Sequence, residues 1–305
     1  MKKNKFNNNA GLTLIEILIA VVISAIMMSA MYTTYSVVNN SYSQVTDRAK
    51  ISRSGRDIVG MLMRDIRLAG FKYYFGENNE DISEKDELIF KGGSTSVEQS
   101  HDPLIIVKDK LGWDGSESIS TPLEKHERED GTEDLCCDRI HIVYGDFDQN
   151  AEQKYKRYKI TYYAEPRSNG QDKYYGVYKT KESWEQIDAE GNPSAGSWVI
   201  SCPECYDGEL IRDHLVDMEF IAFNTEGKAI IPPPNPGLDS RGDLYNIRSV
   251  DVRLTFRSKK EFFRFDAKPN KPRLVKGLGD RTAEFFDKFL RDSVVVTIHT
   301  RNIGS

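Results

Sequence analysis

The chain opens MKKNKFNNNAGLTLIEILIAVVISAIMMSAMY over residues 1–32, and the reading of this stretch decides the rest. Lys2, Lys3 and Lys5 are the only charges before Gly11, and Leu12–Tyr32 is a run of 21 residues whose single charge is Glu16. At 1.5 Å per residue a helix of that length spans about 30 Å, the hydrocarbon thickness of a bilayer. Lysines ahead of the run, with no lysine or arginine after it until Arg48, predict a cytoplasmic N-terminus with everything beyond the span outside. A secretory signal would have a shorter apolar core followed by a small-residue cleavage site, whereas here the small residue, Gly11, comes first. A plain anchor leaves Glu16 without a purpose. A carboxylate inside an apolar span costs a few kcal/mol at membrane depth and calls for a partner.

Working outward, no proline occurs before Pro103, so a helix can run unbroken from Leu12 to about Leu68. After the apolar span the pattern turns amphipathic. Val38, Tyr42, Val45 and Ala49 recur at helical spacing, followed by Ile51, Ile58, Leu62 and Ile66, a stripe suited to lying against a sheet. Gly55 and Gly60 weaken that half by about 1 kcal/mol each. Gly70 suits the helix C-cap, and Arg64 and Arg67 complement the negative end of its dipole.

Beyond Gly70 the helical period gives way to alternation. Val250, Val252, Leu254 and Phe256 interleave with Asp251, Arg253, Thr255 and Arg257, and Tyr158, Ile160 and Tyr162 alternate likewise. Further strands are predicted at 104–107, 139–144, 174–179, 215–223 and 294–300, one short helix near 283–290, and polar loops at 77–100, 109–134 and 231–241. No helices fall between the strands at crossover spacing, so the sheet should be mostly antiparallel and the fold class α+β. The domain reading is 1–11 a leader, 12–32 the transmembrane part of the helix, 33–70 its amphipathic part, and 71–305 a β-rich head.

The head carries Cys136-Cys137 and Cys202-Pro-Glu-Cys205. Four cysteines in an exported head favour two disulfides. Adjacent cysteines pair only with strain, so two cross-links between the 136/137 pair and the 202/205 pair are expected, with a four-cysteine zinc site as the alternative. Asp146, Asp148, Asn150 and Glu152 alternate like the first half of a calcium loop. Ala151 replaces the glycine such a loop requires and Arg157 its closing glutamate, so a polar turn is the better reading. Arg241-Gly242-Asp243 reads as turn chemistry. The five histidines show no ligand spacing, and most are read as solvated or sheet-surface residues. No nucleophile elbow, zinc-protease helix, P-loop or dinucleotide fingerprint is present, and no cofactor is expected. The net charge of −5 gives no general basic face for nucleic acid.

The run Gly11-Leu12-Thr13-Leu14-Ile15-Glu16 resembles the processing site of type IV pilins and type II secretion pseudopilins. The resemblance implies a non-enzymatic subunit with a pilin-like fold, one long N-terminal helix packed on a mostly antiparallel sheet. It implies cleavage by a prepilin peptidase between Gly11 and Leu12, N-methylation of Leu12, and a mature chain of 294 residues whose fifth is Glu16. Leucine stands where the family usually has phenylalanine. Glu16 would then meet the α-amino group of a neighbouring subunit, setting the register in which helices stack. The run Arg64-Asp65-Ile66-Arg67-Leu68-Ala69-Gly70-Phe71 resembles the end of the first helix in PilW-type minor pilins, and 294–302 their closing strand. That narrower resemblance implies other minor pilins, the major pilin and the inner-membrane assembly machinery as partners, with a tip position in the pilus. A minor pseudopilin, resembling the J subunit of type II secretion, and a tip adhesin are the rival readings.

Overall fold

A computed structural model describes residues 13–71, 102–108, 136–147, 155–169, 172–187, 193–230, 239–261, 273–279 and 281–303 of the chain. They form one long helix, α1 (Leu14–Leu68), ten strands and a 3-10 helix at Asp239–Asn246. The chain divides into two compact units, Met1–Asp47 and Arg48–Ser305.

In the first unit α1 is apolar and uncovered. Leu14, Ile15, Val21, Ile26, Met28 and Tyr32 are all exposed, and so are Val38, Tyr42 and Val45. These last three, expected to lie against a sheet, fall in a unit that contains none of the sheet. They continue the uncovered apolar stretch, and none of the described residues of this unit buries them.

In the second unit the amphipathic reading holds. Ile51, Ile58, Leu62, Ile66 and Ala69 are buried at successive helical turns and belong to one core with the sheet residues Leu104, Ile140, Ile142, Tyr162, Leu215, Phe220, Val252, Leu254, Phe256 and Ile298. Gly55 lies on the same face. A Cβ there would stand 2.6 Å from Cγ2 of Val294, so the glycine lets helix and strand approach closely. The helix ends on Gly70, whose φ of 67° is the left-handed cap conformation. Gly70 N donates to Val143 O at 2.9 Å, and the Asn302 side-chain amide donates to Arg67 O at 3.0 Å, so the freed carbonyls and amides are met by the sheet side.

The strands are β1 (Leu104–Val107), β2 (Arg139–Phe147), β3 (Tyr155–Asn169), β4 (Asp172–Ile187), β5 (Pro193–Val199), β6 (Tyr206–Asn224), β7 (Ile247–Glu261), β8 (Arg273–Lys276), β9 (Thr282–Phe285) and β10 (Phe289–His299). The main sheet runs β1-β2-β3-β4-β6-β7-β10 with β5 paired to β4, while β8 and β9 form a separate hairpin. Every pairing among the described residues is antiparallel, as the absence of crossover helices predicts.

Strand β6 serves two neighbours in turn. Its first half pairs with β4 and its second with β7, and Leu215 pairs with both Tyr175 and Phe256. The register shifts at this change of partner, where His214 takes a φ of 65° and its ring lies 4.4 Å from that of Tyr174. One element is corrected outright: residues 283–290 are not a helix. Ala283, Glu284 and Phe285 pair with Val275, Leu274 and Arg273, and cross-strand pairing with β8 outweighs the helical look of the local sequence.

Candidate functional site: the ends of the long helix

Gly11 and Leu12, the residues expected to flank a processing point, lie outside the described residues. The structure begins at Thr13, and there it shows a feature the sequence reading missed. Thr13 Oγ1 and Thr13 N each donate to Glu16 Oε2 at 2.8 Å, while Glu16 N reaches back to Thr13 Oγ1 at 3.4 Å. This is a reciprocal capping box, and the spacing Thr-x-x-Glu was its signal. Glu16 thus closes the first turn of its own helix, with its carboxylate at the positive end of the dipole. The helix that follows is long and apolar enough to cross a membrane.

At its other end α1 carries a buried acid. Asp65 is 1% exposed and sits on the face that holds Ile58, Leu62 and Ala69. Its Oδ2 accepts from the Tyr162 hydroxyl at 2.6 Å and from Lys179 Nζ at 2.8 Å, and its Oδ1 from Arg64 Nε at 3.2 Å. Lys179 lies 5.3 Å from the centroid of the Tyr162 ring. Burial, and then the Asp65 charge, drives the Tyr162 hydroxyl far above its ordinary range, so it remains a donor at any relevant pH. One carboxylate therefore ties the helix to β3 and β4 through two donors, a polar key in an apolar interface.

A second buried charge cluster fastens the turn between β8 and β9. Arg281 donates to Asp217 at 2.8 Å and to Asp138 at 2.6 Å. Asp138 also receives Lys108 Nζ at 2.7 Å and the Phe220 amide at 2.9 Å, and Asp217 receives Arg253 at 3.3 Å. Glu219 accepts from the Leu278 amide at 2.7 Å. Burial pushes the Asp217 carboxyl up to about 6, with Arg281 acting against it and Asp138 adding to it. Each carboxylate is held by donors, which suits a clasp rather than general acid–base chemistry.

The cysteine expectation is corrected. Cys136 pairs with Cys137 and Cys202 with Cys205, in place of cross-links between the two pairs. Cys202 and Cys205 close the turn from β5 to β6, where the Cys205 amide donates to Cys202 O at 2.9 Å and the Cα atoms come within 5.0 Å. A loop this short contributes about 2 kcal/mol in the chain-entropy account, against about 4 for the long loops expected. The four cysteines do not converge as zinc ligands. Among the described residues Cys136, Cys137 and Asp217 lie within 4.8 Å of one another, but Asp217 is already bound by two arginines, whose charge opposes a cation.

Of the calcium candidates, Asp146 stands on β2 in register with Lys156, while Asp148, Asn150 and Glu152 lie outside the described residues. Gly242 and Asp243 fall in the 3-10 helix. His141 is not a surface residue. It is buried beside Thr161, whose Oγ1 is 2.9 Å from its Nδ1, and burial with the nearby Arg139 and Lys159 charges keeps it neutral well below its ordinary range.

Residues 6–32 match the prokaryotic N-terminal methylation motif. Among solved structures, a type IV-like pilin from Thermus thermophilus is similar at 9% identity with a TM-score of 0.38, over 84% of this chain and all of that one. No curated protein matches the chain. The motif, on a chain whose first helix leads into a mostly antiparallel sheet, supports a type IV pilin-like protein. It implies processing by a prepilin peptidase, anchoring in a membrane and later assembly with other pilins.

Proposed function

We propose that this chain is a PilW-type minor pilin. It is held in the inner membrane with its N-terminus in the cytoplasm, cut between Gly11 and Leu12, and methylated on Leu12. It then co-assembles with other minor pilins and the major pilin, priming pilus assembly and remaining at the tip. Processing and assembly are performed on the chain by the peptidase and the inner-membrane machinery, and the chain itself performs no catalysis.

The observation that carries this reading is the methylation motif over residues 6–32, running directly into an apolar helix whose side chains find no cover in their own unit. An uncovered apolar helix serves first as an anchor among lipids and then as packing surface within a bundle of like helices. Within that bundle the Glu16 carboxylate meets the α-amino group of a neighbour. The pairing offsets the desolvation of both charges and selects one register.

The test is mass spectrometry of the N-terminal peptide, taken separately from sheared surface pili and from membranes. A chain that starts at methylated Leu12 and is present in pili is the expected result. Processed chain confined to membranes would move the reading to a type II secretion pseudopilin, and an intact Met1 in both fractions would reduce it to a plain anchor. A Glu16→Ala variant should be made and cleaved normally yet fall at least tenfold in the pilus fraction. Normal incorporation of that variant would remove the register role.

A further inference from the structure

Beside the last turns of α1 lies a groove of about 430 Å³, floored by Met63, Leu68 and Phe71 and edged by Arg64, Arg67 and Arg301. Phe71 is 47% exposed; the Arg64 side chain is 69% exposed although its Nε donates to Asp65 Oδ1 at 3.2 Å, so most of each side chain faces solvent. Among the described residues the lining of the groove holds no acid. Asp65, next in sequence, is turned into the core. At the helix end the Asn302 amide donates to Arg67 O at 3.0 Å and to Ala69 O at 3.5 Å, so those two carbonyls are already engaged.

Gly60 opens the same groove. A glycine inside a helix is less stable than alanine in the same place. At Gly55 the cost has a cause within the chain, the close approach of Val294. At Gly60 a Cβ would meet nothing within 4 Å among the described residues, and none of their contacts explains its smallness. The room it leaves suits something that arrives from outside.

We propose that this groove seats an acidic segment of a neighbouring pilus subunit. An aromatic or long aliphatic side chain would enter over Gly60 onto Met63, Leu68 and Phe71, with flanking carboxylates on the three arginines. Arginine forks match carboxylates in paired hydrogen bonds, and arginine is enriched among the residues that carry most of an interface's binding energy. The proposal adds a head-to-partner contact to the pilus-subunit reading and rests on it.

The test uses the full chain in detergent micelles, titrated with a fluorescein-labelled peptide Asp-Glu-Phe-Glu-Leu-Asp and with its neutral counterpart Asn-Gln-Phe-Gln-Leu-Asn. The acidic peptide should bind saturably and at least tenfold more tightly than the neutral one. Gly60→Leu, which fills the groove, and Arg64→Glu with Arg67→Glu should each weaken it at least tenfold, with thermal unfolding of Gly60→Leu no lower than that of the wild type. Equal binding of the two peptides, indifference to Gly60→Leu, or tighter binding of a thymidine dodecamer than of the acidic peptide would each overturn the proposal. In cells, wild type absent from pili would count against the pilus-subunit reading whatever the titration gave. Wild type and Gly60→Leu equally present in pili, with a flat titration, would remove the groove alone.

Discussion

At the scale of single residues, the decisive side chain in the head is Asp65. Two buried partners, Tyr162 and Lys179, spend their polar atoms on it. Asp65→Asn keeps the shape and removes the charge, leaving the Lys179 ammonium 5% exposed without its counter-charge. Breaking a buried pair from one side costs about 3–5 kcal/mol, so the variant should unfold in urea at a clearly lower midpoint. Adding Lys179→Met should recover a large part of the loss. If the double variant were as unstable as the sum of the single ones, the coupling assigned to this pair would be absent. The position was legible in outline, since 58, 62, 65 and 69 share one helical face and Asp65 falls in the middle of it. An acid there was read past because flanking Arg64 and Arg67 made the run look like a charged helix end. Thr13 was missed for a related reason. Glu16 has two roles in one sequence, a charge in an apolar span and the residue three after a threonine, and the first is the more conspicuous.

At the scale of elements, the two glycines of α1 allow a contrast that intrinsic propensity alone would not make. Propensity treats both as weak points that alanine would improve by about 1 kcal/mol. The structure separates them. Gly60→Ala should raise the thermal midpoint by roughly 2–4 °C, since its Cβ meets open space. Gly55→Ala should lower it by at least as much, because the new methyl would lie 2.6 Å from a methyl of β-branched Val294, which has little rotamer freedom to yield. A shift of the same sign in both would contradict the close helix–strand approach. Strand legibility followed the same logic of context. Tyr158–Tyr162 and Val250–Phe256 alternate because one face is core, and both lie within observed strands. Residues 282–285 also alternate, Thr282 and Glu284 against Ala283 and Phe285, but four residues are too few to separate strand from helix, and pairing with β8 decides their extended form. The cysteine pairing was hidden similarly: spacing reports separation along the chain, while the turn at Cys202–Cys205 is closed by its own backbone hydrogen bond.

At the scale of the whole molecule, two buried groups make the head respond to acid in opposite directions. His141 is held neutral well below its ordinary range by burial and by Arg139 and Lys159. The unfolded chain therefore takes up a proton near pH 6.5 that the folded chain refuses, and this contribution to stability is lost as pH falls below that value. Asp217 works the other way. Its folded-state carboxyl, at about 6 against 3.8 unfolded, takes up its proton first, so its contribution grows as pH falls through 6 and is lost again as pH rises through it. Between pH 7 and 4.5 the Asp217 contribution amounts to about 2 kcal/mol, set by the size of that shift. In the wild type the two partly cancel. Each variant is best compared with its own midpoint at pH 7, since either substitution changes the baseline. Asp217→Asn removes the compensation, so its midpoint should fall on acidification by roughly 5 °C more than that of the wild type. His141→Gln leaves Asp217 unopposed and should fall less than the wild type, or rise. Parallel acid profiles for all three would mean that neither group differs in protonation between the folded and unfolded chain.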